Sequence, residues 1–171
     1  MRGLERIAYH EAGHAIVAFV LHRRFTHVSI IPDDTTLGHI RTSKLPPTFQ
    51  PESDYAGATR KLCEKEAMVS LGGVVAERFR LSRTCWKGAH EDITKALGCC
   101  EYHSGNLEEA NAYLNWLWER TKGIVTFGRE WAAVEALAQE LMVRKFIGEQ
   151  AARRIIRKAF EDWSRREQQG G

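Results

Sequence analysis

The sequence predicts a mainly α-helical domain, a helical array carrying one small β-ribbon, and three observations support that prediction. Long stretches in both halves repeat apolar residues at the three-to-four spacing of a helix. Only the segment between Thr26 and Thr42 alternates with the period of two that suits strands. The prolines gather around Lys44–Asp54, as Pro46, Pro47 and Pro51, marking a single irregular loop. A length of 171 residues fits one domain, large enough to bury a core without disulfides or a structural metal. Within it, residues 1 to about 105 hold the ribbon and the unusual polar residues, and residues 106–171 read as a helical C-terminal part.

The first helix is expected from about Leu4 to Leu21. Ile7, Ala15, Ile16, Phe19 and Val20 give it an apolar surface, and the cations of His22-Arg23-Arg24 suit the negative end of its dipole. His10-Glu11-Ala12-Gly13-His14 lies inside it. Residues four apart on a helix stand one turn above each other, so His10 and His14 project two imidazoles from one face. Glu11 is placed to reach a water beside them without itself filling a coordination position. This HExxH arrangement, set in a zincin-type helix, points to zinc held by the histidines and to Glu11 as the general base of a hydrolase. The alternative, a chance match on an ordinary helix, is disfavoured by the strongly helical, apolar setting. Gly13 costs about 1 kcal/mol relative to alanine in a helix, which close approach by another backbone or by a substrate would offset.

Thr26–Ile31 and Leu37–Thr42 alternate as two strands joined by a turn at Pro32-Asp33-Asp34. Beside an HExxH helix, such an edge could accept an extended peptide as a further strand, although a purely structural hairpin gives the same pattern. After the proline loop, Tyr55–Phe79 is helical, with Leu62, Ala67, Leu71, Val74 and Val75 as core positions. Glu66, Ser70, Gly73 and Glu77 share one side of it, and Gly72-Gly73 would admit a closely packed helix. Glu77 reads equally as a carboxylate orienting a ligand histidine, as a third ligand, or as a helix-end acid paired with Arg78 or Arg80. A loop is expected over Arg80–Gly88, and a helix opens at Ala89.

A catalytic zinc commonly takes three protein ligands and leaves one position for water. The candidates for the third are Glu77, His90, Glu91 and Asp92, and spacing alone favours Asp92 as an N-cap or first-turn acid rather than a ligand. Beyond Gly105, helices are expected over Leu107–Thr121, Trp131–Phe146 and Ala151–Trp163, with a frayed tail from Arg165. Tyr113, Trp116 and Trp118 are expected in the core or in subunit contacts. Arg153, Arg154, Arg157 and Lys158 are interleaved with acids and form a solvated face rather than a membrane surface.

The charge balance is 25 basic against 22 acidic side chains, a surplus too small to point to nucleic acid. Cys63, Cys85, Cys99 and Cys100 form no CxxC pair, which argues against a zinc ribbon and a disulfide framework and suggests a reducing, cytoplasmic compartment. No signal-peptide pattern and no membrane-length apolar run occur.

The order of motifs resembles the peptidase domain of FtsH-type proteases, family M41. The matching segments are Ile7-Ala8-Tyr9-His10-Glu11-Ala12-Gly13-His14-Ala15, Val28-Ser29-Ile30-Ile31-Pro32, Leu71-Gly72-Gly73-Val74-Val75-Ala76-Glu77 and Gly88-Ala89-His90-Glu91-Asp92-Ile93, followed later by Val134–Leu141 and Gly148-Glu149-Gln150. The resemblance implies zinc at the active site with an aspartate as third ligand, which maps onto Asp92. This chain departs from the family in having His90 and Glu91 just before that aspartate and Cys85-Trp86-Lys87 in place of a small polar stretch. It also lacks the P-loop pattern of the family's ATPase. The chain is thus either an excised domain or a stand-alone member, with Met1 weighing slightly for the latter.

The expected activity is zinc-dependent hydrolysis of peptide bonds in unfolded or extended proteins, with the substrate added along Leu37–Thr42. A homo-oligomeric chamber or a separate ATPase partner would be needed for folded substrates and for ATP-dependent proteolysis. Two rival readings are a catalytically degenerate protein-binding module and a non-peptidase zinc hydrolase.

Overall fold

The computed structural model describes residues 2–32, 38–54, 56–82 and 86–170. Among them the chain forms α1 (Arg2–Val20), β1 (Phe25–Ser29), β2 (His39–Thr42), α2 (Gly57–Leu81), α3 (Trp86–Glu101), α4 (Leu107–Val125), α5 (Gly128–Arg144), β3 (Phe146–Gly148) and α6 (Glu149–Gly170). The fold is mainly helical with one small antiparallel sheet, as the hydrophobic periodicity predicts. No helix of the described residues is long and apolar enough to cross a membrane.

Helix α1 lies at the centre. Ala8, Ala12, Ala15, Ile16, Val17 and Ala18 are all fully buried, against α2 on one side and α5 on another. A helix apolar on most of its surface can be satisfied only by burial on several sides. The chain leaves α1 through His22, whose left-handed backbone (φ 55°) lets the Arg23 N–H donate back to the Ala18 carbonyl at 2.8 Å. This closes the helix end in the manner usually reserved for glycine. Arg23 then turns inward to pair with Glu66 of α2 and donates to the Ser43 carbonyl at 2.5 Å, tying the ribbon to the helices.

The sheet has the order β2-β1-β3. Val28 pairs with Ile40 on one side and with Ile147 on the other, and these three fall on the face turned to the core. Four expectations need correction. A third strand, β3, completes the sheet, so Phe146 belongs to a strand rather than to the preceding helix; three residues are too few to show a period. Helix α3 begins at Trp86 rather than Ala89, because its polar, glycine-containing first turn resembles a loop in composition. Helix α6 continues to Gly170 where a frayed tail is expected, supported by pairs such as Arg165 with Asp162 and by Arg166 donating to the Asp162 carbonyl at 3.2 Å. Trp116 is 48% exposed, so of its two expected settings, core or subunit contact, the core one does not hold, whereas Leu117 beside it is buried. The expected turn residues Asp33 and Asp34, the start of the second strand at Leu37, the helix start at Tyr55 and Cys85 lie outside the described residues.

Candidate metal centre

The site is built where α1 crosses α2. A Cβ at Gly13 would collide with the Gly72 carbonyl and stand 2.5 Å from the Ala76 Cβ, while one at Gly72 would stand 2.8 Å from the Gly13 carbonyl oxygen. Only this glycine pair lets the two backbones touch, which is the compensation for placing Gly13 in a helix interior. A Cβ at Gly73 would run into His14 Nε2 and lie 2.8 Å from His10 Cδ2, so Gly73 provides the space in which both imidazoles stand.

Those imidazoles are held from behind. His10 Nδ1 donates to the Glu77 carboxylate at 3.2 Å, and His14 Nδ1 donates to the Val69 carbonyl at 2.7 Å. The Gly73 N–H lies 3.2 Å from His14 Nδ1 because, as the helical donor to the same Val69 carbonyl, it converges on the same oxygen. With both Nδ1 atoms protonated, the Nε2 atoms are the ones that present lone pairs when the rings are neutral. Glu77 is fully buried and also receives Arg6 Nη1 at 3.3 Å, so its contacts turn towards α1 and the histidine. Its carboxylate stands behind His10, on the Nδ1 side.

In front, the Asp92 carboxylate of α3 reaches across. One of its oxygens lies 2.9 Å from His10 Nε2 and 3.4 Å from His14 Nε2. Asp92 is the seventh residue of α3, so the N-cap or first-turn role that spacing favours does not hold. Its neighbours point elsewhere: Glu91 is exposed and pairs with Lys95, and His90 is exposed. His10, His14 and Asp92 each offer a ligand atom, all within 4.8 Å of one another.

The electrostatics favour a cation. Glu11, Glu77 and Asp92 against the guanidinium of Arg6 leave two negative charges in excess while the imidazoles are neutral. Burial opposes charge on His10, but the Asp92 and Glu77 carboxylates outweigh it and lift the His10 pKa to about 10. His14 shifts upward too, burial again being outweighed, here by Asp92. Asp92 goes the other way: burial would raise it, but the two imidazoles hold it well below the usual carboxylate range. Two imidazole nitrogens and a carboxylate oxygen, with their outer atoms already anchored, form a donor set suited to zinc.

Glu11 stands beside the triad and makes a different use of burial. It is 4% exposed, its Oε2 has no hydrogen-bond partner among the described residues, and desolvation raises its pKa against the pull of His14 and His10. A carboxylate left short of donors in a dry site is a strong proton acceptor. The ribbon borders it: a Cβ at Gly38 would lie 3.1 Å from Glu11 Cγ, so the start of β2 passes directly over this side chain.

A helical domain in which two histidines and an aspartate converge in this way defines a class of candidate metal-site proteins. Comparison narrows the class, since residues 2–102 match the model of peptidase family M41, and the chain belongs to that family. It is 30% identical over 159 residues to an ATP-dependent zinc metalloprotease FtsH of Acidobacterium capsulatum, a match covering 86% of this chain and 20% of the relative. The corresponding protein of Magnetococcus marinus is 30% identical over 161 residues, 90% of this chain and 20% of the relative. That of Endomicrobium trichonymphae is 42% identical over 94 residues, 54% of this chain and 14% of the relative. The chain therefore spans a fifth or less of the length of these relatives. The two longer matches extend into the C-terminal helices, beyond the residues that the family model covers.

Sequence reasoning missed the Val69 carbonyl and Arg6. The carbonyl carries no side-chain signal, and Arg6 has no motif of its own. Its position one turn before His10 on the same helical face was the available clue.

Proposed function

We propose that this domain is a zinc-dependent endopeptidase acting on extended or unfolded polypeptide, with His10, His14 and Asp92 as metal ligands and Glu11 as general base. The observation that carries the reading is the pairing of a convergent His-His-Asp donor set with a buried, donor-starved carboxylate beside it. A bound zinc would polarise the scissile carbonyl and bring the pKa of its water towards about 7. Glu11 accepts the proton of the attacking water at Oε2 and returns it to the departing amine. Glu77 and the Val69 carbonyl keep the two imidazoles in the tautomer and orientation that coordination needs.

The substrate is placed on the outer edge of β2. Ser43 N donates to the Arg24 carbonyl at 2.9 Å, so the alternate residues Arg41 and His39 also turn their N–H groups towards β1. Ile40 and Thr42 then direct their main-chain groups outward, where an extended peptide can pair without regard to its sequence. Because β2 begins over Glu11, a strand added there runs past the catalytic carboxylate.

The names of the relatives include ATP dependence, and coupling to an ATPase partner or to a homo-oligomeric chamber is the route by which folded proteins would be reached. Alone, the domain cuts unfolded chains and short peptides. The decisive experiment measures zinc content and casein turnover for the wild type and Glu11→Gln. The expected result is zinc at the His10–His14–Asp92 centre in both proteins with cleavage only in the wild type, lost on chelation. Zinc without wild-type cleavage of casein would favour a protein-binding module, and cleavage retained in Glu11→Gln would reject the base.

A further inference from the structure

A second pair of histidines lies outside the centre described above. His27 of β1 and His39 of β2 stand on the same outward face of the sheet, with their Nε2 atoms 3.2 Å apart and their rings nearly perpendicular at 79°. The proton positions at His27 follow from its neighbours. Thr26 Oγ1 has a single proton and donates it to the Arg41 carbonyl at 3.2 Å, so towards His27 Nδ1, 3.1 Å away, it can act only as acceptor. Neutral His27 therefore carries its proton on Nδ1 and turns an Nε2 lone pair towards His39. The Phe146 ring, tilted 30° at a centroid distance of 4.8 Å, fixes the His27 plane from the third strand.

We infer that His27 and His39 form a second site for a divalent transition-metal ion of imidazole preference, with zinc as the ion tested. With zinc–nitrogen distances of about 2.05 Å, a nitrogen separation of 3.2 Å corresponds to a ligand–metal–ligand angle of about 103°, close to tetrahedral. The hydrogen bond that His27 Nδ1 donates to Thr26 Oγ1 supplies what a ligand histidine ordinarily has, an outer partner that sets tautomer and ring orientation. Burial, together with the neighbouring His39 and Arg41, lowers the His27 pKa below the ordinary histidine value, in the direction that favours the neutral, ligating ring. The site is weaker than the first, since among the described residues it offers two protein ligands rather than three and Arg41 lies nearby. An ion there links the side chains of β1 and β2 beside the register shift between Phe25 and His27.

The test is equilibrium dialysis with zinc on the wild type, His27→Asn, His39→Asn and His14→Ala, each first checked for native circular dichroism. The wild type is expected to bind two equivalents, the weaker one lost in His27→Asn and in His39→Asn, and the tighter one lost only in His14→Ala. The proposal is overturned if His27→Asn and His39→Asn bind as many equivalents as the wild type. Should His14→Ala bind as much as the wild type while His27→Asn loses an equivalent, the second site stands and the zinc centre of the peptidase reading falls. A measurement on the unmodified protein covers the case in which a variant does not fold. Long-range proton–nitrogen spectra should show the Nε2 resonances of His27 and His39 shifting as the second equivalent is added, and unchanged resonances would reject the site.

Discussion

Gly73→Ala is the most economical perturbation of the centre, because it adds one methyl group and changes no charge. Two effects on stability oppose each other. Alanine is better than glycine inside a helix by about 1 kcal/mol, while overpacking in a closed core costs about 1–3 kcal/mol. Net stability should therefore fall by no more than about 2 kcal/mol, a melting shift of roughly 4–8 °C for a domain of this size. Metal affinity should suffer more. The new methyl would fall on His14 Nε2 itself, 2.7 Å from Cε1 of the same ring and 2.8 Å from His10 Cδ2, so neither imidazole can keep its position. Displacing two ligands should cost more than the about 10- to 100-fold loss that follows removal of an outer-shell partner. Zinc affinity, measured by competition with a chromophoric chelator, is expected to drop more than about 100-fold while the variant still melts cooperatively. Gly98→Ala is the control, since a Cβ there meets nothing within 4 Å, and it should keep zinc and gain a little stability. If Gly73→Ala binds zinc as tightly as the wild type, the two imidazoles are not the ligands.

Glu77→Gln should weaken zinc binding about 10- to 100-fold while leaving its stoichiometry at the centre unchanged, read by the same competition assay. Because the His10 pKa is lifted to about 10, zinc loading at neutral pH must displace its proton, so the calorimetric heat of binding should scale with the ionisation enthalpy of the buffer. Without added metal, a raised histidine pKa gives stability that is complete below about 6.5 and lost as the pH climbs through about 10, and denaturant midpoints of chelator-treated protein should decline across that window. Burial pushes the thiols of Cys63 and Cys100 to about 11 and that of Cys99 to about 12, so peptide-resolved alkylation at pH 8 should be slow at all three until the protein is unfolded. Ile40→Pro removes an outward N–H from β2, and the loss of one backbone hydrogen bond should raise KM for an extended peptide about two- to twelvefold; an unchanged KM would place the substrate elsewhere.

The centre was legible where it depends on local spacing and illegible where it depends on folding. His10, Glu11 and His14 sit within one turn and a half of a single helix, so their convergence follows from helical geometry alone. Asp92 joins them from a helix whose first turn reads as a loop; its true place in the second turn is invisible to a rule based on helix starts. The role of Glu77 could not be chosen among three possibilities because its meaning depends on a partner 67 residues away. The β-ribbon was legible through alternation, yet β3 was not, since Phe146-Ile147-Gly148 is recruited by the edge of β1 and shows no pattern of its own. Gly13 and Gly72-Gly73 announced close packing without saying that they face each other.

One helix crossing accounts for most of what the domain needs. Moving back along α1 from His14 to His10 corresponds to moving forward along α2 from Val69 and Gly73 to Glu77, so the two helices run antiparallel through the contact. Each histidine then finds its outer partner on a successive part of the same helix, and the glycine contact fixes how far away that partner is. Orientation of both imidazoles is thus a property of α1–α2 packing and is present before any ion arrives, the condition under which a site binds without reorganisation. Asp92 is the one donor that comes from elsewhere, carried by α3, which packs against α2. Substitutions in the α1–α2 contact should therefore shift stability and zinc affinity together, whereas substitutions that move α3 should change affinity with little effect on melting.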